Sequence, residues 1–222
     1  MKIVAISDTH GFHRSVKIPD GDVFVHAGDI TMDGEIETIV DFVRWIAELP
    51  HQHKIVVPGN HDRCLDISQT KFDGGALRMF ELVRNVHYLV DASRTLEVSG
   101  QPLGGEMKKI KIYGAPWVPN LKGWAFWDRN ADKFDAAPRD IDVLVTHGPP
   151  LGIRDDDISD THFGSRHIAR FLNRCPLLKA HIFGHVHDQY GQDKIGEIVF
   201  ANACTCSPSP YEPVNPALVI DL

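Results

Sequence analysis

The sequence predicts an α/β protein in which two packed mixed β-sheets are flanked by helices. Three observations lead there. Short β-branched runs recur along the chain, and most are apolar throughout, as strands buried on both faces are. Stretches with helical apolar spacing lie between some of them. The middle of the chain, Val86 to Gly114, holds strand-like runs with Gly, Ser and Pro turns and no helix, the mark of an antiparallel section. Helices thus flank a β-rich centre too large for one ordinary sheet, and two sheets packed together would bury it.

Taken in order, "KIVAIS" from Lys2 opens the chain as a strand and "DVFVH" from Asp22 is the second. In "EIETIVDFVRWIAEL", Ile36, Ile39, Val40, Val43, Ile46 and Ala47 recur at helical spacing, and Pro50 closes the helix. "KIVVP" from Lys54 is the next strand and "GGALRMFELVRN" from Gly74 a second helix. "VHYLV", "RTLEV" and "KIKIYGA" make up the helix-free centre. "IDVLVT" returns to a buried strand, "RHIARFLNRC" reads as a third helix, and "AHIF", "EIVFANA" and "ALVIDL" complete the sheets. No repeat, low-complexity tract or linker interrupts this order, so residues 1–222 read as a single domain.

Composition narrows the function classes. Apolar content of 43% and charged content of 24% are those of an ordinary globular protein. A formal charge of −7 argues against a nucleic-acid polymer as partner, because phosphate backbones need a basic footprint. The apolar run after Met1 is too short for a signal-peptide core, and no stretch approaches the roughly 18 apolar residues of a membrane span. Cys64, Cys175, Cys204 and Cys206 form no C-x-x-C pair and read as reduced, structural thiols. The expectation is a cytoplasmic protein with no membrane partner.

The informative pattern lies at the strand ends. "KIVAIS" runs into Asp8-Thr9-His10, and "DVFVHA" into Gly28-Asp29. "KIVVP" runs into Gly59-Asn60-His61-Asp62, "VLVT" into His147-Gly148-Pro149-Pro150, and "HIF" into Gly184-His185-Val186-His187. Ligand sites of α/β sheets lie at the C-terminal ends of strands, and here each such end delivers carboxylate, amide or imidazole. Asp8, His10, Asp29, Asn60, His147, His185 and His187 are more ligands than one transition metal takes from protein. They suit two divalent cations sharing a bridging carboxylate, with His185 and His187 on different ions. Nitrogen and oxygen donors without thiolate fit Mn, Fe, Zn or Ni better than Ca or Mg, with Mn²⁺ expected first.

These motifs resemble the calcineurin-like metallophosphoesterases, whose pattern D-x-H, G-D, G-N-H-[DE], H, G-H-x-H is met by "DTH", "GD", "GNHD", "THGPP" and "GHVH". "VHAGD", "YGAPWVPNLKGWAFW" and "THGPPLGIRD" narrow the likeness to the metallophosphoesterase-domain-containing (MPPED-type) branch, linked with nucleotide phosphodiester hydrolysis. Some of that branch carry glycine at the position of His185; this chain keeps the histidine. The resemblance implies a four-layer α/β/β/α sandwich. It implies that Asp8, His10 and His187 hold one metal, that Asn60, His147 and His185 hold the other, and that Asp29 bridges. It further implies that His61 assists the leaving oxygen and that Asp62 orients the His61 ring. The expected substrate is a small phosphoester, a nucleotide or cyclic nucleotide diester, attacked in line by hydroxide bridging the metals. The alternatives are a phosphomonoesterase or phosphoprotein phosphatase, and a non-catalytic scaffold of the same fold.

Other residues are secondary candidates. His13 lies near the first motif and could reach substrate, whereas His26, on the strand beside Asp29, reads as a partner of the ligands. "APWVPNLKGWAFWDRN" gathers Trp117, Trp124, Phe126 and Trp127 in a loop that either stacks a base or closes over the core. Arg154 either steadies a phosphate or pairs with the acids near it.

Overall fold

The computed structural model describes residues 1–68, 75–99, 107–128 and 131–222. In chain order the elements are β1 (Lys2–Ile6), β2 (Val23–His26), α1 (Ile36–Glu48), β3 (His53–Val56), α2 (Gly75–Glu81), β4 (Val86–Tyr88), β5 (Ala92–Ser99) and β6 (Met107–Ala115). They continue with β7 (Val143–Thr146), α3 (Arg166–Leu172), β8 (Ala180–Phe183), β9 (Gly191–Ile195), β10 (Ile198–Asn202) and β11 (Leu218–Asp221). One sheet has the order β11-β1-β2-β3-β4 and the other β5-β6-β7-β8-β10-β9. Each is mixed. β1 to β4 run parallel with β11 antiparallel to β1, and β6, β7, β8 and β10 run parallel between antiparallel β5 and β9.

The continuous apolar runs are explained by the layering. Successive strand residues point to opposite faces, so Ile3 and Ala5 of β1 join Val23, Val25, Ile55, Val143, Val145 and Ile182 between the two sheets. Val4 and Ile6 point the other way, onto Ile39, Phe42, Val43 and Ile46 of α1 and Phe80 of α2. On the far side, Tyr113 and Leu144 meet Ile168 and Phe171 of α3. Helix, sheet, sheet and helix are the four layers expected. Fully burying each large aliphatic side chain contributes about 1.5–3 kcal/mol. The central parallel strands β1, β2, β7 and β8 bury both of their faces this way.

Three elements differ from expectation. β4 is not part of an antiparallel centre: it pairs parallel to β3, and the chain then crosses to the second sheet, where β5 and β6 form a long hairpin from Ala92↔Gly114 to Ser99↔Met107. The Gly/Pro turn expected within that hairpin lies outside the described residues. The second helix stops at Glu81, short of Asn85, which sits at φ +63° where a right-handed helix cannot continue. β9, "GQDKI", is an exposed edge strand with no apolar run to announce it. No helix among the described residues is long and apolar enough to cross a membrane.

Candidate metal centre

Parallel strands of both sheets end at one place, and each turns there into polar residues. After β1 the chain bends through Asp8 (φ +52°) and His10 (φ +43°), after β2 through Asp29 (φ +56°), and after β8 through His185 (φ +73°). Non-glycine residues rarely hold such angles, at a cost of order 1–3 kcal/mol each, and they gather where a site over-determines the backbone. Glycines bring the ends together. A Cβ at Gly184 would overlap Ser7 Oγ and Asp8 Oδ2, and one at Gly59 would overlap Asp29 Oδ1.

Every ligand candidate is brought in. Potential donor atoms of Asp8, His10 and His187 lie within 4.8 Å of one another, as do those of Asp29, His147 and His185, and those of His10, Asp29 and His61. Asp29 belongs to two of these groups and so can bridge. Asn60 joins the second, with Oδ1 2.9 Å from His147 Nε2. Asp8, Asp62 and His147 are 0% exposed.

The donor chemistry fits cations. The Nδ1 of His10 faces Thr31 O at 3.0 Å, that of His187 faces Cys206 O at 3.0 Å, and that of His147 faces Ala27 O at 2.9 Å. A carbonyl only accepts, so each ring donates Nδ1–H and turns the Nε2 lone pair inward. His10 Nε2 and His187 Nε2 then confront each other at 3.4 Å. His147 Nε2 confronts Asn60 Oδ1 at 2.9 Å and Asp29 Oδ2 at 3.3 Å. Buried lone pairs aimed at one another need positive charge between them, a proton or a metal.

The ionisation of these groups carries the same message. Burial opposes charge on His147, yet Asp29 and Asp8 outweigh it and raise its pKa to about 9. His187 is likewise raised by its contact with Asp8 against the effect of burial. Burial, reinforced by His147, pushes His185 down to about 4, which keeps it neutral and able to ligate. Burial works to raise the Asp8 carboxyl, but His187, His147 and His10 hold it well below the ordinary range.

A ring of supporting contacts fixes the ligands. Asp8 accepts from the His185 backbone N–H at 3.1 and 3.0 Å and from the Cys204 thiol at 3.0 Å. Asp29 Oδ1 accepts from the His61 backbone N–H at 2.8 Å. His26 lies beneath, with Nε2 3.0 Å from Thr9 Oγ1, and its Nδ1 accepts from Gly28 N–H at 3.3 Å. Burial lowers its pKa to about 3, so it stays neutral.

One expectation is corrected, and two secondary candidates lie away from the centre. Asp62 does not touch the His61 ring: its carboxylate accepts from Thr31 N–H (2.9 Å), Thr31 O–H (3.0 Å) and Gly59 N–H (2.8 Å), while His61 Nδ1 donates to Met32 O. Asp62 therefore shapes the loop that carries Asn60 and His61. Its pKa rises to about 6 through burial and the nearby Asp29 charge. His13 is buried under α1 against Phe42 and Trp45, bonded to Asp41 at 3.0 Å, and does not reach the centre. Arg154 turns from the centre to Gln189 O (3.0 Å), Tyr190 O (3.1 Å) and Asp193 (2.8 Å).

The aromatic loop is divided between its two readings. Trp117 and Phe126 join the core, whereas Trp124 lies 4.6 Å from the His61 ring with the Arg63 guanidinium 4.5 Å from its own. The residue that sequence reasoning missed is Tyr211, whose ring sits 4.5 Å from His10 and 5.1 Å from His187. Its one signal was a lone aromatic in the proline-rich "SPSPYEPVNP" after β10.

Comparison with known proteins agrees with this geometry. The family model described as "Calcineurin-like phosphoesterase" matches residues 1–189. A human protein, "Metallophosphoesterase domain-containing protein 1", is 32% identical over 243 aligned positions that cover 100% of this chain and 71% of its own length. One solved structure with 19% identity superposes at a TM-score of 0.62 over 90% of this chain and 89% of its own. The calcineurin-like phosphoesterase YfkN from Bacillus subtilis, 13% identical, superposes at 0.50 over 91% and 81%.

Proposed function

This chain belongs to the calcineurin-like phosphoesterase family and is a metal-dependent phosphoesterase, and from that premise we propose that it hydrolyses small phosphodiesters, nucleotides first among them, with a pair of divalent transition metals. The observation that carries the diester reading is that apolar surfaces border the centre in two places. Trp124 packs against His61, and a separate cavity walled by Phe163 and Tyr211 opens beside His185 and His187. A phosphodiester has two organic arms to place, and a monoester has one.

Asp8, His10 and His187 would hold one metal and Asn60, His147 and His185 the other, with Asp29 shared. The pair would supply Lewis acidity toward the phosphoryl oxygens and lower the pKa of the attacking water. The protein does the rest. Carbonyls of Thr31, Cys206 and Ala27 hold three ligand rings in the tautomer that ligates. His61, fixed by Nδ1–H donation to Met32 O, presents Nε2 to the centre and as an imidazolium gives that proton to the departing oxygen. Asp62 keeps the His61 loop in register.

The test is hydrolysis of bis-p-nitrophenyl phosphate by chelator-stripped protein before and after Mn²⁺ is restored. Metal-restored turnover of this diester in preference to p-nitrophenyl phosphate is the expected result. Preference for the monoester would overturn the diester reading.

A further inference from the structure

We propose that the cavity beside His185 and His187 is the subsite for one arm of the ester, and that it accepts an uncharged or ammonium-bearing arm while rejecting an anionic one. The inference rests on the phosphoesterase reading and adds what that arm must be. The cavity has a volume of about 220 Å³. That is below the roughly 300–1,000 Å³ of pockets that take a whole drug-sized ligand, so it suits an arm whose phosphoryl group sits outside, at the metal centre. It opens directly from the ligand histidines: the Phe163 ring stands edge-on to His185 at 6.2 Å, and the Tyr211 ring lies 5.1 Å from His187.

The polar lining is acidic. Asp157 and Asp188 border the cavity, and among the described residues no lysine or arginine lines it. Asp157 is held by its own loop, with Oδ1 accepting from Ser159 N–H (2.8 Å), Ser159 O–H (2.6 Å) and Thr161 N–H (3.1 Å). Asp188 follows His187 in the turn His187–Gln189 and is exposed. Arg154, the nearby cation singled out from sequence, is engaged by Asp193 and two carbonyls. An ammonium group between these rings and carboxylates gains from both, since aromatic faces attract cations. A carboxylate or second phosphate on the arm meets two like charges, with no lysine or arginine among the described residues of the lining to offset them. A nucleoside arm or a choline-like arm is admitted, and a nucleoside polyphosphate is not.

The probes are three phosphonates that differ only at the far end: 2-aminoethylphosphonate, propylphosphonate and 2-carboxyethylphosphonate. Their Kd values on the Mn²⁺-loaded protein are measured by calorimetry in competition with inorganic phosphate. The ammonium ligand should bind tightest and the carboxylate ligand about tenfold more weakly than it. Replacing Asp157→Asn and Asp188→Asn together should bring the three within about twofold while inorganic phosphate binds as before. Phe163→Ala should weaken the ammonium and propyl ligands more than the carboxylate ligand. Equal affinities in the unaltered protein, an unchanged ratio in the double variant, or failure of every phosphonate to compete with phosphate would each overturn the subsite. Charge discrimination without turnover of bis-p-nitrophenyl phosphate supports the subsite and rejects the diester reading. Diester turnover without discrimination does the reverse.

Discussion

The two halves of the metal centre are built by different means. Asn60 and His147 stand at the ends of central parallel strands, 3% and 0% exposed, and His147 is tied to the carbonyl of Ala27 at the end of β2 in the facing sheet. His187 sits on a short turn after β8, its side chain 9% exposed, anchored to Cys206 in the segment that leads to Tyr211. The first half is assembled by the sheets themselves. The second is completed by a loop from much later in the chain, so it depends on contacts with less core behind them. Elements with less buried support open at lower free energy, and the half that holds His187 should exchange its metal first.

The most severe way to break that contrast is to remove what the halves share. Asp29→Asn should abolish the distinction, with both ions bound weakly and turnover down more than about 100-fold, beyond the usual cost of losing a group outside the ligand set. Metal content by elemental analysis and kcat together read this out. Retention of two tightly bound ions would disprove the bridging role. His61→Ala is the control that leaves both halves intact: metal content stays at the unaltered level while kcat falls about 10²–10⁴-fold, the usual worth of general acid catalysis.

Chelator titration sharpens the comparison directly. Release should be biphasic, and His187→Ala should lose the fast phase while His185→Ala loses the slow one. Removing a supporting contact from the looser half is a smaller blow. Cys204→Ala deletes the thiol that donates to Asp8, and should cost about tenfold in affinity for the faster-exchanging ion with the melting temperature barely changed.

pH tests the tighter half without a mutation. In the metal-free protein His147 titrates at about 9, against about 6.5 in an unfolded chain. A raised folded pKa means that its ion pair with Asp29 stabilises fully below pH about 6.5 and is lost as pH climbs through 9. The melting temperature of chelator-stripped protein should therefore fall across that window, and that of the metal-loaded protein should not. Metal has to displace this proton, so affinity at the His147 half should rise with pH over the same range. A flat profile in the stripped protein would remove the buried ion pair from the account.

The ligand set was legible because each donor lies within a few residues of an apolar strand that ends in a turn. Asp8, Asp29, Asn60, His147 and His185 are read from one local pattern, a buried run capped by a polar group. The four layers were legible for a related reason: runs apolar on both faces demand cover on both faces. What the local pattern did not carry is where a polar side chain points. Asp62 is next to His61 in sequence, yet its carboxylate turns to Thr31 and Gly59, because backbone N–H groups buried by the fold are the partners within reach. His13 is three residues past His10 and faces the opposite way, into the aromatic packing under α1.

The sequence by itself determined which chemistry is present, since residue type and strand-end position are local properties written in consecutive letters. Only the tertiary structure decided that Tyr211 covers the centre, that Trp124 rather than Trp117 meets His61, and that two carboxylates border the cavity beside His185. Those placements depend on how separate loops fold over the strand ends they share, and no period or spacing along the chain encodes a distance of that kind.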